Sequence, residues 1–161
     1  YVTNISSSEK MLSQDFKEFV ALLNENKVEY LIVGGYAVGM HGYPRYTGDL
    51  DIWINATLEN ARRVVKVLAE FGFASFGLTE EDFIKPGNVI QMGYPPFRID
   101  LLTKIDGVEF EECYKNRLIV QTDNLSLQVI GIDELKVNKE ATGRLKDAED
   151  LRNLQNPTHN S

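Results

Sequence analysis

The sequence predicts a mixed α/β domain: a sheet of parallel and antiparallel strands backed by helices, with a helical segment at the C-terminal end. Two observations carry that expectation. Apolar runs of strand length recur at 30–33, 49–54, 88–92, 97–102, 118–122 and 125–130. Between and after them lie stretches whose apolar residues return at helical spacing, at 13–26, 57–71 and 132–154. The two kinds of element alternate without internal repeats or low-complexity tracts.

A chain of 161 residues, 43% hydrophobic and 25% charged, is long enough to bury a core as one domain. Its net charge of −7 argues against a broad nucleic-acid-binding surface, although a local basic groove is compatible with it. Cys113 is the only cysteine, which excludes an intrachain disulfide and a zinc–thiolate cluster, and two histidines far apart make a histidine metal site a poor reading. No apolar run reaches transmembrane length and no secretory pattern opens the chain, so a cytoplasmic protein without a membrane partner is expected.

Taken in order, residues 1–10 are polar and aperiodic and read as a loose lead-in, with Met11 an alternative start. Residues 11–130 form the core, 131–155 a C-terminal helical segment, and 156–161 a tail. Ser13 is placed to cap a helix whose Phe16, Phe19, Val20 and Leu23 make an apolar stripe. The first core strand follows at 30–33, then Gly34-Gly35, a short helix at 36–40 and a loop at 41–47 containing His41, Pro44 and Arg45. His41 reads as structural or exposed.

The clearest helix is 57–71, with Leu58, Ala61, Val64, Val65 and Leu68 on one face. Thr79 is expected to cap a short helix ending at Pro86. The strands at 88–92 and 97–102 are joined through Gly93-Tyr94-Pro95-Pro96 as a hairpin-like pair, and 108–116 is expected to be helical. Asp123-Asn124 makes the turn between the last two strands. If 132–154 were one unbroken helix, Val137, Ala141, Leu145 and Ala148 would share a side, with Lys136, Lys139, Lys146, Asp147 and Asp150 elsewhere; Gly143 is a point where it can break.

Two short stretches carry chemistry. In Asp49-Leu50-Asp51-Ile52-Trp53-Ile54 the period of two sends Asp49 and Asp51 to one face while Leu50, Ile52 and Ile54 enter the core. Two ionised carboxylates held close together repel, and a hard divalent cation with oxygen ligands resolves the repulsion. Trp53 shares their face and reads as packing. The apolar strand ending in Gly34-Gly35 turns at once into a helix, so free backbone N–H groups and close approach suit a phosphate. Together they suggest metal-assisted phosphoryl or nucleotidyl transfer. The plainer readings are a tight turn at the glycines and solvent-facing aspartates. A dinucleotide-binding domain fits poorly, because Gly34, Gly35 and Gly39 do not form G-x-G-x-x-G and no regular βαβ repeat follows.

An apolar strand ending Gly-Gly, thirteen residues, then Asp-x-Asp on a second apolar strand resembles the nucleotidyltransferase superfamily. The likeness covers residues 28–103, more weakly the C-terminal helices. It is nearest to the small bacterial nucleotidyltransferases of abortive-infection and type IV toxin–antitoxin systems, whose Arg-x-Thr-x-Asp-Leu-Asp pattern is similar to Arg45-Tyr46-Thr47-Gly48-Asp49-Leu50-Asp51. The resemblance implies a nucleotidyltransferase-type sheet and transfer of an NMP from an NTP to an acceptor hydroxyl, with release of pyrophosphate.

It further implies a third carboxylate on a later strand, for which Asp100 is the candidate, Arg98 being its possible salt-bridge partner. Asp49, Asp51 and Asp100 would hold Mg²⁺ or Mn²⁺. Gly34, Gly35, Arg45, Thr47 and a C-terminal lysine, Lys139 or Lys146, would hold the triphosphate. The acceptor stays open among a small-molecule hydroxyl, a tRNA and a protein. The alternative is a non-catalytic or weakly active partner-binding module, a toxin–antitoxin component.

Overall fold

The structure is a computed structural model that describes residues 2–4, 13–43 and 48–155, with the backbone alone at 2–4, 145 and 146. Arg45 and Thr47, and the tail at 156–161, lie outside the described residues, as does the side chain of Lys146.

The chain begins with β1 (Val2–Asn4), followed by α1 (Gln14–Glu25), β2 (Tyr30–Val33), α2 (Gly34–Met40), β3 (Asp49–Ile54) and α3 (Leu58–Phe71). Two short 3₁₀ turns at Ala74–Phe76 and Glu80–Phe83 lead to β4 (Val89–Met92) and β5 (Arg98–Leu102). Then come α4 (Phe110–Lys115), β6 (Leu118–Thr122), β7 (Leu125–Val129), α5 (Ile132–Thr142) and α6 (Leu145–Gln155). The strands make one seven-stranded sheet in the order β1-β6-β7-β2-β3-β5-β4. It is mixed: β2 runs antiparallel to β3 and parallel to β7, β3 is parallel to β5, and β4–β5 and β6–β7 are antiparallel hairpins. The expected class of fold, a mixed sheet backed by helices, is the one observed.

Local sequence sets most of the boundaries. Ser13 Oγ accepts from the Phe16 N–H at 3.3 Å, and Phe16, Phe19, Val20 and Leu23 are all buried. Thr57 caps α3 through the Asn60 N–H, and Gly72, at φ +102°, ends it in the left-handed conformation that favours glycine. Thr79 and Asp82 form a reciprocal capping box at the 3₁₀ turn. Asp123 and Asn124 both adopt positive φ, which suits a two-residue hairpin turn.

Three expectations need correction. Val2–Asn4, read as part of a loose lead-in, adds a parallel strand to β6, with Val2 opposite Ile119. A three-residue edge strand is held by backbone bonds and leaves no periodic signal. On α3, Leu58 is 49% exposed and Val65 only half-buried, while Val67 is fully buried. Because Leu58 sits in the first turn, the buried arc is centred on Asn60, Ala61, Val64, Val67 and Leu68.

Helix α4 is shorter than 108–116. The C-terminal segment is two helices, broken at the point the sequence marked, Gly143, which takes φ +68°. The stripe of a continuous helix therefore does not form, and Val137 is 47% exposed. Among the described residues of the pair, Leu135, Asn138, Lys139, Asp147, Asp150 and Leu154 are buried.

Candidate active site

The register of the three strands β2, β3 and β5 assembles the site. Val33, the last residue of β2, is opposite Asp51 on β3, and Asp51 is opposite Asp100 on β5. One pleat earlier, Asp49 is opposite Arg98. Cross-strand partners share a face and lie about 5 Å apart, so Asp49, Asp51, Arg98 and Asp100 form one polar block. On the other face Leu50, Ile52, Ile54, Ile99 and Leu101 are buried. The apolar half of the alternation fixes the polar half: any slip of one residue would send carboxylates into the core.

Arg98 ties the block together. Its Nη2 donates to Asp49 Oδ2 at 2.7 Å and to Asp100 Oδ2 at 3.1 Å, and its Nε donates to Asp100 Oδ1 at 2.9 Å. The fork on Asp100 is bidentate, the geometry for which guanidinium is suited. Hydrogen bonding to Asp100 pushes the Arg98 pKa further up, and the charges of Asp100, Asp49 and Asp51 add to this against partial burial. Asp100 is 7% exposed, whereas Asp49 and Asp51 are half-buried.

Gly34 closes the block from the β2 side. It opens α2 at φ +69°, and a Cβ built there would lie 3.0 Å from Asp51 Cγ and 3.2 Å from Asp51 Cβ, closer still to Oδ2. A side chain would strike the carboxylate and its stem together. Gly35 follows inside α2, buried and without positive φ. Gly48, on the approach to β3, sits against the β4–β5 loop, with its Cβ position 3.5 Å from Pro96 O.

The donor set of three carboxylates is chemically suited to a hard cation such as Mg²⁺ or Mn²⁺. A guanidinium already stands among them as a cation in contact with two of the three. Among the described residues no group of three carboxylate, imidazole or thiol side chains is arranged to hold a metal ion. The three carboxylates suit such an ion by donor type, and in this structure Arg98 bridges Asp49 and Asp100.

The remaining predicted residues fall elsewhere. Lys139 does not reach out as an exposed cation: it is 4% exposed, with Nζ 2.5 Å from Asp147 Oδ1 and 3.2 Å from Asp150 Oδ2. Thr142 Oγ1 and Arg144 Nε also donate to Asp147 Oδ2. The ammonium of Lys139 is thus committed inside the α5–α6 pair. Trp53 packs edge-on against Phe110, centroids 5.1 Å apart, and His41 Nε2 bonds the Ile130 carbonyl at 2.7 Å. Burial holds the His41 pKa below its ordinary value, and because a carbonyl only accepts, Nε2 is the nitrogen that donates this bond. Both residues are structural, as expected.

Asn60 escaped the sequence reading, and Arg98 did so in part: its salt bridge to Asp100 was legible, whereas its link to Asp49 depends on the parallel β3–β5 register. Asn60, 2% exposed, accepts from the Glu29 N–H at 2.8 Å and donates to the Glu29 and Asn55 carbonyls at 3.0 and 2.9 Å. It staples the entry of β2 to the exit of β3. A polar residue at a buried position of α3 was the available signal.

No protein-family model and no curated protein matches this sequence. Solved structures do share its fold. One is a Thermotoga maritima protein, TM1012, described as a candidate nucleotidyltransferase. It superposes with a TM-score of 0.60 at 15% identity, over 93% of this chain and 98% of that one. A second is the lincosamide antibiotic adenylyltransferase LnuA bound to lincomycin, with a TM-score of 0.53 at 14% identity, over 89% of this chain and 96% of that one. At such identities the likeness is one of fold.

Proposed function

We propose that the protein is a divalent-metal-dependent nucleotidyltransferase that moves an NMP from an NTP to an acceptor hydroxyl. One observation carries the reading: Asp51 and Asp100 face each other in parallel register, with Asp49 one pleat away and the β2–α2 turn at Gly34 against Asp51. A half-buried block with three carboxylates is costly for a fold to keep without a cation to serve.

In the reaction, the bond between the α-phosphorus and the pyrophosphate oxygen breaks as a bond to the acceptor oxygen forms, and the acceptor hydroxyl loses its proton. Asp49, Asp51 and Asp100 would hold Mg²⁺ or Mn²⁺, which when bound neutralises phosphate charge and lowers the acceptor's pKa. Asp100, the most enclosed of the three, is the group proposed to take the acceptor proton. The amides at Gly34 and Gly35, with Arg45 and Thr47 from the sequence just before β3, are proposed to hold the triphosphate. The lysine expected in that role is not assigned: Lys139 is already paired, and the Lys146 side chain lies outside the described residues.

For the acceptor, a small molecule is favoured over RNA. The chain is acidic, at −7 overall, which disfavours a polyanion, and the fold is shared with an adenylyltransferase bound to an antibiotic. The toxin–antitoxin affiliation rests on the 45–51 pattern alone.

A second reading, a non-catalytic binding module, draws on the same Arg98: a carboxylate block bridged by a guanidinium has its own counter-ion. Labelled NTPs incubated with the protein, Mg²⁺ and a cell extract separate the two. A labelled product from wild type that disappears in Asp51→Asn is expected. Absence of any labelled product, with Mn²⁺·NTP binding no weaker in Asp51→Asn, sinks the enzyme reading.

A further inference from the structure

We propose that Arg98 is the resident counter-cation of the carboxylate block and that it exchanges with the divalent ion, so that metal entry requires its guanidinium to leave Asp49 and Asp100. This inference rests on the function proposed above for the same residues. Three hydrogen bonds of 2.7–3.1 Å place the guanidinium between the first and third carboxylates. Both contacts use oxygens that a metal would need: Asp49 offers Oδ2, and Asp100 has both of its oxygens occupied.

A guanidinium has no acceptor atom and cannot itself ligate a metal, so the ion and Arg98 compete for Asp49 Oδ2 and for the two Asp100 oxygens. Its side chain is 26% exposed, against 9% for the Asp100 side chain, which leaves the guanidinium a path to solvent. The block keeps a positive charge in either state, which removes the cost of leaving three carboxylates uncompensated between turnovers. It also sets a threshold: the ion must outbid an intramolecular partner, and a nucleotide that brings its own divalent ion and offers phosphate oxygens to Arg98 does so best.

The test is direct titration of Mn²⁺ alone, followed by the loss of the free-ion paramagnetic signal, on the full chain as wild type, Arg98→Gln and Arg98→Lys. Arg98→Gln should bind Mn²⁺ at least about tenfold more tightly than wild type, since a unit positive charge close to the ion is removed. Arg98→Lys should fall between them, because it keeps the charge and loses the bidentate fork. Adding Asp51→Asn to Arg98→Gln should abolish the gained affinity. In parallel, Mn²⁺ should raise the melting temperature of Arg98→Gln more than that of wild type.

Equal or weaker Mn²⁺ affinity in Arg98→Gln overturns the exchange. Should that variant not fold, the same outcome in Arg98→Lys does so. The readout needs no nucleotide. Tight Mn²⁺ binding by Arg98→Gln without labelled product from any NTP would therefore uphold the exchange while the enzyme reading fails.

Discussion

Gly34 and Asp51 are in contact across the β2–β3 ladder: the hydrogen-only face of Gly34 is the surface on which the Asp51 carboxylate rests. Gly34→Ala adds a Cβ against Asp51 Oδ2, Cγ and Cβ at once, in a backbone with φ +69° that alanine adopts at a cost of about 1–2 kcal/mol. Rotating the carboxylate does not relieve the stem. The variant should lose stability by at least that amount in urea unfolding, and Mn²⁺ affinity by about tenfold or more for whatever remains folded. Unchanged values of both would mean that Gly34 does not shape the site.

Asn60→Leu keeps the branched outline and heavy-atom count of the side chain and removes the staple between β2 and β3. The Glu29 N–H loses its acceptor and the Asn55 carbonyl loses the amide that donates to it. Leaving partly buried backbone groups unpaired should cost about 2–3 kcal/mol. Amide hydrogen exchange is expected to quicken first at residues 29–33 and 51–55. A uniform rise across the sheet, without that local bias, would argue that Asn60 acts on α3 instead.

Lys139→Met leaves Asp147 and Asp150 buried against an apolar neighbour. Breaking one partner of such a cluster costs about 3–5 kcal/mol, measurable as a lower urea midpoint. The affinity of the folded fraction for Mn²⁺·NTP should stay within a factor of two. Full stability with weakened nucleotide binding would restore Lys139 to the triphosphate.

The same cluster predicts an acid limb. Burial pushes the Asp147 pKa up, but hydrogen bonds from Lys139, Thr142 and Arg144, with the charge of Lys139, outweigh it and hold the carboxyl below its ordinary range. A depressed carboxyl pKa contributes stability that is present above the unfolded value of about 4 and is lost as pH falls through the folded value. Asp147→Asn should therefore flatten the stability profile below about pH 4. A wild-type profile that is flat down to pH 3 would remove the cluster as a determinant.

How far the sequence could be read follows from what each residue needs. Ser13, Thr79 and the Asp123-Asn124 turn act on their own neighbours, and all of them were legible. Asp49 and Asp51 were legible because the apolar residues between them fix the face. Lys139, a candidate for the triphosphate in the sequence, is buried together with Asp147 and Asp150, which the helical spacing only places off the apolar side. Their pairing depends on the reversal at Gly143, and charge type alone gives no hint of burial. Arg98 with Asp49, and Asn60 with Glu29, join positions 49 and 31 residues apart. Only strand register and helix docking bring them together, and neither leaves a local pattern.

The parallel pairing of Asp51 with Asp100 bears on how such a chain tolerates change. Strand register is quantised, so the site cannot be loosened by a fraction of a residue. Deleting one residue in the loop at 93–97 can be absorbed there, with β5 still in place. Deleting one within β5 exchanges the polar and apolar faces for everything beyond the lesion, and puts Asp100 where a leucine or isoleucine belongs. Insertions and deletions should therefore collect in the β4–β5 loop and be purged from β5, while substitutions accumulate in both. Homologues that differ in loop length but keep Arg-x-Asp in frame with Asp-x-Asp are the lineage signature this sheet predicts.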